Sequence, residues 1–444
     1  MRATPYELHV VPTPASTTRP SLHLALDSTS NDNNENKLPP TPSLGLVLVA
    51  NFLFNVSFYI IVPTATPYAR SLGATDLYSG LVIGGITLTS AVSLVPLQHV
   101  HCFRDYYMPT LHLAASTLVL GHLLYALAHT LDSLELLLVG RLVNGLGFTG
   151  WLFVKRYCTD PRLVGYRRRT MCANLLVAAQ TLGMVGGPLL GALLAKYAPA
   201  TGLWNAFTAP GWLMATVWLV YWLVARIVFV DAPPRTQGDL HDIVQAKLSH
   251  LDSSRRWTIV AMALGSLTIF FELGAWESNI PVFIDAAWAW TSFDAGVLIA
   301  IGGFASFGLI LPLSFYTKTS PDRLVLAAAF GLAIAGTIVH QCTLAQPTPA
   351  TLGLSWFLVC WGMNLASTIT LSLLTKTLPD ALSDKAAIVI QLSNYAGRLT
   401  GAMWGTAGSV VGGEYVIGLG NLCLLLLSTA LLVRVWHSLD APTG

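Results

Sequence analysis

Twelve stretches of this sequence each run for about 20 residues with almost no charge, the length a helix needs to cross the ~30 Å hydrocarbon core of a bilayer. They span Leu44 to Ala65, Leu77 to Leu97, Pro109 to Ala128, Leu134 to Val154, Met171 to Leu194 and Leu203 to Val230, then Trp257 to Phe283, Ala295 to Phe315, Leu324 to Gln341, Leu352 to Leu374, Ala386 to Val411 and Tyr415 to Val433. With no water in that core, each segment has to satisfy its own backbone N–H and C=O groups, which selects the helix. Only 10% of the 444 residues are charged and 54% are apolar, against roughly 25% charged in a soluble domain. A water-soluble globule built from this chain would lack the surface charge that keeps it in solution. The sequence therefore predicts an all-α membrane protein of twelve transmembrane helices in two six-helix bundles.

Charge bias between connections sets the expected orientation, because short cytoplasmic loops collect Lys and Arg. Nearly all 24 basic residues fall in the N-terminal tail, in or at the edge of the even-to-odd connections (Arg226 in the last turn of the sixth span) or in the C-terminal tail; Arg70 and Lys196 lie on the other side, and Arg141 and Arg398 deep within spans. Both termini are expected in the cytosol. The largest basic cluster, Lys155, Arg156, Arg162, Arg167, Arg168 and Arg169, follows the fourth span. Residues 1–43 read as a disordered cytosolic tail rich in Pro, Ser, Thr and Asn. Residues 44–230 form the first bundle, 231–256 a cytosolic linker, 257–437 the second bundle and 438–444 a tail. The linker carries an amphipathic stretch, Leu240, Ile243, Val244, Lys247, Leu248 and Leu251, suited to the membrane surface.

Several functions drop out. A net charge of +2 offers no basic body for nucleic acid. The six cysteines are scattered without Cys-x-x-Cys spacing, so neither a disulfide framework nor a metal site is expected. No P-loop, dinucleotide fingerprint or catalytic triad order occurs, so no cofactor and no enzyme activity are expected, and transport would be driven by gradients.

Motifs within the spans sharpen this. Gly183-Met-Val-Gly-Gly187-Pro188-Leu-Leu-Gly191 in the fifth span resembles the Gly-x-x-x-Gly-Pro-x-x-Gly signature of facilitator antiporters. Its small residues allow close helix packing in lipid, and Pro188 suits a bend. Arg141-Leu-Val-Asn144-Gly145-Leu-Gly147 in the fourth span resembles the family's Arg-x-x-Gln-Gly-x-Gly with Asn for Gln. After the second span only Arg104 and Asp105 match the family's charged loop signature. The plan of six spans, polar linker and six spans resembles the major facilitator superfamily, whose helices surround a central cavity.

Within that superfamily, Tyr59-Ile-Ile-Val-Pro63, Ser71-Leu-Gly-Ala74, Val82-Ile-Gly84, Leu123 to Ala128, Gly140-Arg-Leu142, Lys155-Arg-Tyr157, Asp160 and Gly187-Pro188 resemble the SPX-MFS vacuolar phosphate transporters. Glu272 in Phe-Phe-Glu-Leu and Arg398 in Ala-Gly-Arg-Leu resemble positions in the related lysosomal facilitator branch. The resemblance implies rocker-switch transport of phosphate across a vacuolar or lysosomal membrane, with the plasma membrane as the alternative, and a monomer is expected. About 43 residues precede the first span, fewer than the more than 100 that an SPX domain occupies, so control by inositol pyrophosphates through that domain is not expected.

Glu272 and Arg398 both fall near the middle of their spans. A charge at that depth needs a partner, backbone carbonyls or water, and each group favours finding the other. The expectation is that Arg398 docks an anionic substrate, with Glu272 its resting partner and a protonatable coupling group. Glu277, five residues on, points about 140° away around the helix and is expected at an entrance or gate. Arg141, Tyr59, Asn55 and Asn394 are further candidates for the cavity wall, and Gly187, Pro188, Arg104 and Asp105 for gating. Three functions fit: a carrier of a small inorganic anion, above all phosphate, with proton coupling; a proton-coupled exporter of organic or cationic compounds; and a channel-like chloride pathway or a membrane scaffold.

Overall fold

The computed structural model describes residues 36–165, 168–199, 201–233, 253–316, 321–377 and 383–439. The N-terminal tail before residue 36 and the amphipathic linker stretch lie outside them. Among the described residues, eleven helices are long and apolar enough to cross a membrane. The remaining one, Ser383–Gly405, has 23 residues and carries Gln391, Asn394 and Arg398, which make it less apolar than the other eleven. Its polar side is the one that matters below.

Most predicted spans are observed, with ends shifted for local reasons. The first runs Thr41–Tyr59, breaks at Ile60 and Ile61, and resumes as Val62–Ser71 with Pro63 in its opening turn, where a missing N–H costs nothing. The fourth breaks similarly, into Leu134–Phe148 and Gly150–Thr159, and so extends past its expected end at Val154. The sixth starts at Ala209 rather than Leu203: Asn205 accepts hydrogen bonds from the amides of Phe207 and Thr208 and holds the preceding residues in a turn. The eleventh stops at Gly405 instead of Val411; a separate turn, Gly408–Val411, follows, and Gly412 and Gly413 reverse the chain at positive φ. At the fifth, the helix Arg169–Tyr197 runs unbroken through Pro188.

The two bundles meet along two seams, second span on eleventh and fifth on eighth. Glycine makes the first seam close: a Cβ on Gly80 would collide with the Ala402 carbonyl, and one on Gly84 would press tightly on the backbone of Leu399. On the second seam Gly296 lies against the carbonyl of Pro188. Association in lipid rests on such packing, because apolar surface gains nothing by leaving lipid tails. At the end opposite the termini, Arg70 of the first span bonds Asp76 of the second at 2.6 Å and Asp285 of the seventh at 2.7 Å, joining the halves there.

Candidate functional site

The eleventh span approaches the seventh backbone to backbone. Side chains at Gly397 and Gly401 would strike the carbonyls of Leu267 and Phe271, so glycine at both positions brings Arg398, between them, deep into the protein interior. Arg398 is 5% exposed. One of its terminal nitrogens donates to Glu277 of the seventh span and the other to the Tyr59 hydroxyl of the first. Three rings surround the guanidinium, with centroids at 5.0 Å (Phe58), 5.2 Å (Tyr59) and 5.6 Å (Phe270), each contributing about 0.5–2 kcal/mol in a desolvated setting. One cation thus ties the first bundle to the second at mid-depth. Tyr59 is the last residue before the break in the first span.

This arrangement corrects the expected pairing. Arg398 binds Glu277, not Glu272. The seventh span has two faces at helical spacing: Phe270 and Leu273 line the cavity that Arg398 borders, and Glu277, one turn beyond Leu273, continues that face to meet the guanidinium. Glu272 is on the other face, with Ala275, Trp276 and Asn279; these three line a separate small pocket together with His340, Glu414 and Asn421. Glu272 is fully buried, and neither of its carboxyl oxygens has a hydrogen-bond partner among the described residues. The nearby Trp276 indole interacts with it without reaching hydrogen-bond geometry.

The cavity lies between the bundles. Asn55, Tyr59, Gln180 and Met184 line it from the first half; Asn364, Ser367, Gln391, Asn394 and Arg398 line it from the second. Asn55 donates to the Asn51 carbonyl at 2.7 Å, and Asn394 accepts from Ser266 at 2.5 Å. Trp151 and Tyr395 form part of the wall and stack with centroids 6.4 Å apart. The Tyr395 hydroxyl donates to the Phe148 carbonyl at 2.9 Å. That carbonyl belongs to the residue just before the break in the fourth span, so a backbone acceptor at the break finds its partner across the bundle interface.

Sequence reasoning missed Lys155. Counted with the basic loop because the apolar run ends at Val154, it is carried by the continuing helix onto the cavity wall, where its Nζ donates to Gln391 Oε1 at 3.2 Å. The helix continuation was the signal: no Gly or Pro separates Val154 from Thr159.

Other candidates fall elsewhere. Arg141 has zero exposure and donates through Nε to the Val82 carbonyl at 3.0 Å. It ties the fourth span to the second within the first bundle and does not line the cavity. Gly187 faces Tyr59, and a Cβ there would overlap the Tyr59 Cβ. Pro188 lies on the seam with the eighth span. Arg104 and Asp105 pair with each other at 3.1 Å in the short helix His101–Asp105.

The charged centre of that loop layer is instead Asp160 with Arg162, bonded at 2.6 Å. Tyr107 donates to Asp160 at 2.7 Å, and Arg162 reaches the carbonyls of Asp105 and Pro233. Burial works against the Asp160 carboxylate, but the hydrogen bonds from Arg162 and Tyr107 outweigh it and hold its pKa below the usual carboxylate value.

Comparison with known proteins bears on the family and the fold. Residues 47–437 match the family model described as Major Facilitator Superfamily. An uncharacterized MFS-type transporter of Schizosaccharomyces pombe is 29% identical over 93% of this chain and 85% of its own length. An SPX domain-containing membrane protein of Arabidopsis thaliana is 40% identical, over 46% of this chain and 30% of that protein. Among solved structures, a D-xylose-proton symporter superposes with a TM-score of 0.69 at 12% identity, covering 90% of this chain and 98% of that one. An inward-facing bacterial homolog of the human lysosomal transporter Spinster does so at 0.65 and 13%, covering 89% and 96%.

Proposed function

Since this chain belongs to the Major Facilitator Superfamily, we propose that it is a secondary active carrier of a small inorganic anion, phosphate above all, working by alternating access of its two bundles. The observation that carries this reading is Arg398, a buried guanidinium on the wall of a cavity between the halves, bonded to Tyr59 of one and Glu277 of the other. A carrier of this type binds its substrate near the bilayer midplane at the interface of its repeats. Groups that span that interface are the ones whose bonds must change as the halves rock.

In this reading an anion competes for the guanidinium. Glu277, released from Arg398, then becomes free to take up a proton, so the coupling role expected of Glu272 passes to Glu277. Tyr59 and Asn55 from the first half and Asn394 from the second complete the polar wall, and Gly187 keeps the fifth span close behind Tyr59. In this reading both termini lie in the cytosol, which the distribution of basic residues supports, and the protein acts as a monomer. Phosphate as the cargo and a vacuolar or lysosomal membrane rest on the resemblance of the first-half motifs to SPX-MFS transporters; the plant SPX domain-containing membrane proteins match about 46–47% of this chain.

The aromatic wall of Trp151, Phe270 and Tyr395 favours a second reading, a proton-coupled exporter of organic compounds. Uptake of radiolabelled phosphate into proteoliposomes, with sulfate, chloride and a lipophilic cation as parallel substrates, separates the two. Saturable phosphate uptake that Arg398→Ala abolishes is the expected result. Movement of the cation alone refutes the anion reading.

A further inference from the structure

Among the described residues, the cavity wall carries two cations, Arg398 and Lys155, and no Asp or Glu. They are not equivalent. Arg398 is already neutralised by Glu277 and shielded by three aromatic faces, so an arriving anion meets a pair with no net charge. Lys155 has no carboxylate within ion-pair range among the described residues; its ammonium is satisfied only by the neutral Gln391 amide. Lys155 is therefore the source of the cavity's net positive charge.

We propose that Lys155 is the cation on which a small oxyanion first docks, a step that deepens the anion reading above and rests on it. A lysine ammonium is a compact charge with three donors. One is directed to Gln391, which leaves two for the oxygens of phosphate or a similar oxyanion, and charge-assisted bonds of this kind are roughly twice as strong as neutral ones. Lys155 comes from the fourth span and Gln391 from the eleventh, so the anion lands on a bond between the two bundles. Its arrival adds charge-assisted contacts beside that bond, and Arg398 is engaged afterwards, deeper in the cavity.

Two measurements test this. In proteoliposomes, Lys155→Gln raises the KM for inorganic phosphate at least about tenfold, the scale of one lost charge-assisted contact, while Lys155→Arg keeps it within a few-fold. An unchanged KM for Lys155→Gln overturns the assignment while leaving the anion reading intact; absence of phosphate and sulfate flux in the wild-type protein overturns the anion reading and this inference with it. The second measurement needs no variant. Amine acylation of the purified wild-type protein, followed residue by residue by mass spectrometry, is slowed by phosphate at Lys155 and unaffected at Lys196, with half-protection near the KM. Equal acylation rates at Lys155 with and without phosphate refute the proposal, and protection by sulfate as well as phosphate marks the site as one for oxyanions in general.

Discussion

Arg398 and Glu277 illustrate at the scale of single residues how much a buried charge depends on its partner. Removing one member of a buried pair leaves the other uncompensated, at a cost of about 3–5 kcal/mol, whereas replacing both with apolar groups of similar volume is often neutral. Arg398→Met alone is therefore expected to lower the thermal stability of the detergent-solubilised protein by that order. The double change Arg398→Met with Glu277→Met recovers most of it, and neither protein transports. Additive losses in a double-mutant cycle would show that the two do not form one unit. The sequence made Arg398 conspicuous, because a guanidinium within a span always needs an explanation. It did not reveal the partner. Glu272 and Glu277 are five residues apart on one helix, and which of them faces the eleventh span depends on where Gly397 and Gly401 let that span sit, a tertiary fact with no local signature.

Among the helices, glycine placement decides which faces touch. A side chain at Gly187 would displace Tyr59, while one at the neighbouring Gly186 meets nothing within 4 Å. Gly187→Val is expected to destabilise by about 1–3 kcal/mol, the usual cost of overpacking, and to lower uptake; Gly186→Val leaves both near wild type. Thermal melts and uptake of the pair check this, and equal behaviour of the two variants contradicts it. The loop layer makes a different prediction. Asp160 titrates below the usual carboxylate value because of its bonds from Arg162 and Tyr107, so its contribution is present above the unfolded-state pKa of about 3.9 and is lost as pH falls through the lower folded value. Melting temperatures should drop on acidification through that range, and Asp160→Asn should flatten the drop. Spans were legible in the sequence because about 20 apolar residues leave few alternatives in lipid. Their interruptions at Ile60 and Thr149 were not, since hydropathy does not register a break in backbone geometry, and Lys155 was lost to the loops because the apolar run ends at Val154 while the helix goes on to Thr159.

For the whole molecule, the halves are joined at both ends of the cavity: by Arg70 with Asp285 on one side and by Lys155 with Gln391 on the other. The first pair is 41% and 49% exposed, and such surface bridges contribute at most about 1 kcal/mol. Asp285→Asn should therefore shift the balance between conformers by no more than about fivefold and leave transport measurable. Distance distributions between spin labels at Ala74 and Ser292 report that shift; identical distributions in the two proteins would mean the pair does not hold this end closed. The central claim, a carrier whose two halves alternate around a cationic cavity, is tested most directly by counterflow. Proteoliposomes loaded with unlabelled phosphate and diluted into a trace of labelled phosphate should accumulate label transiently above equilibrium, and Arg398→Ala should not. Label that rises only to equilibrium, without overshoot or saturation, or no entry of label at all, would contradict the account.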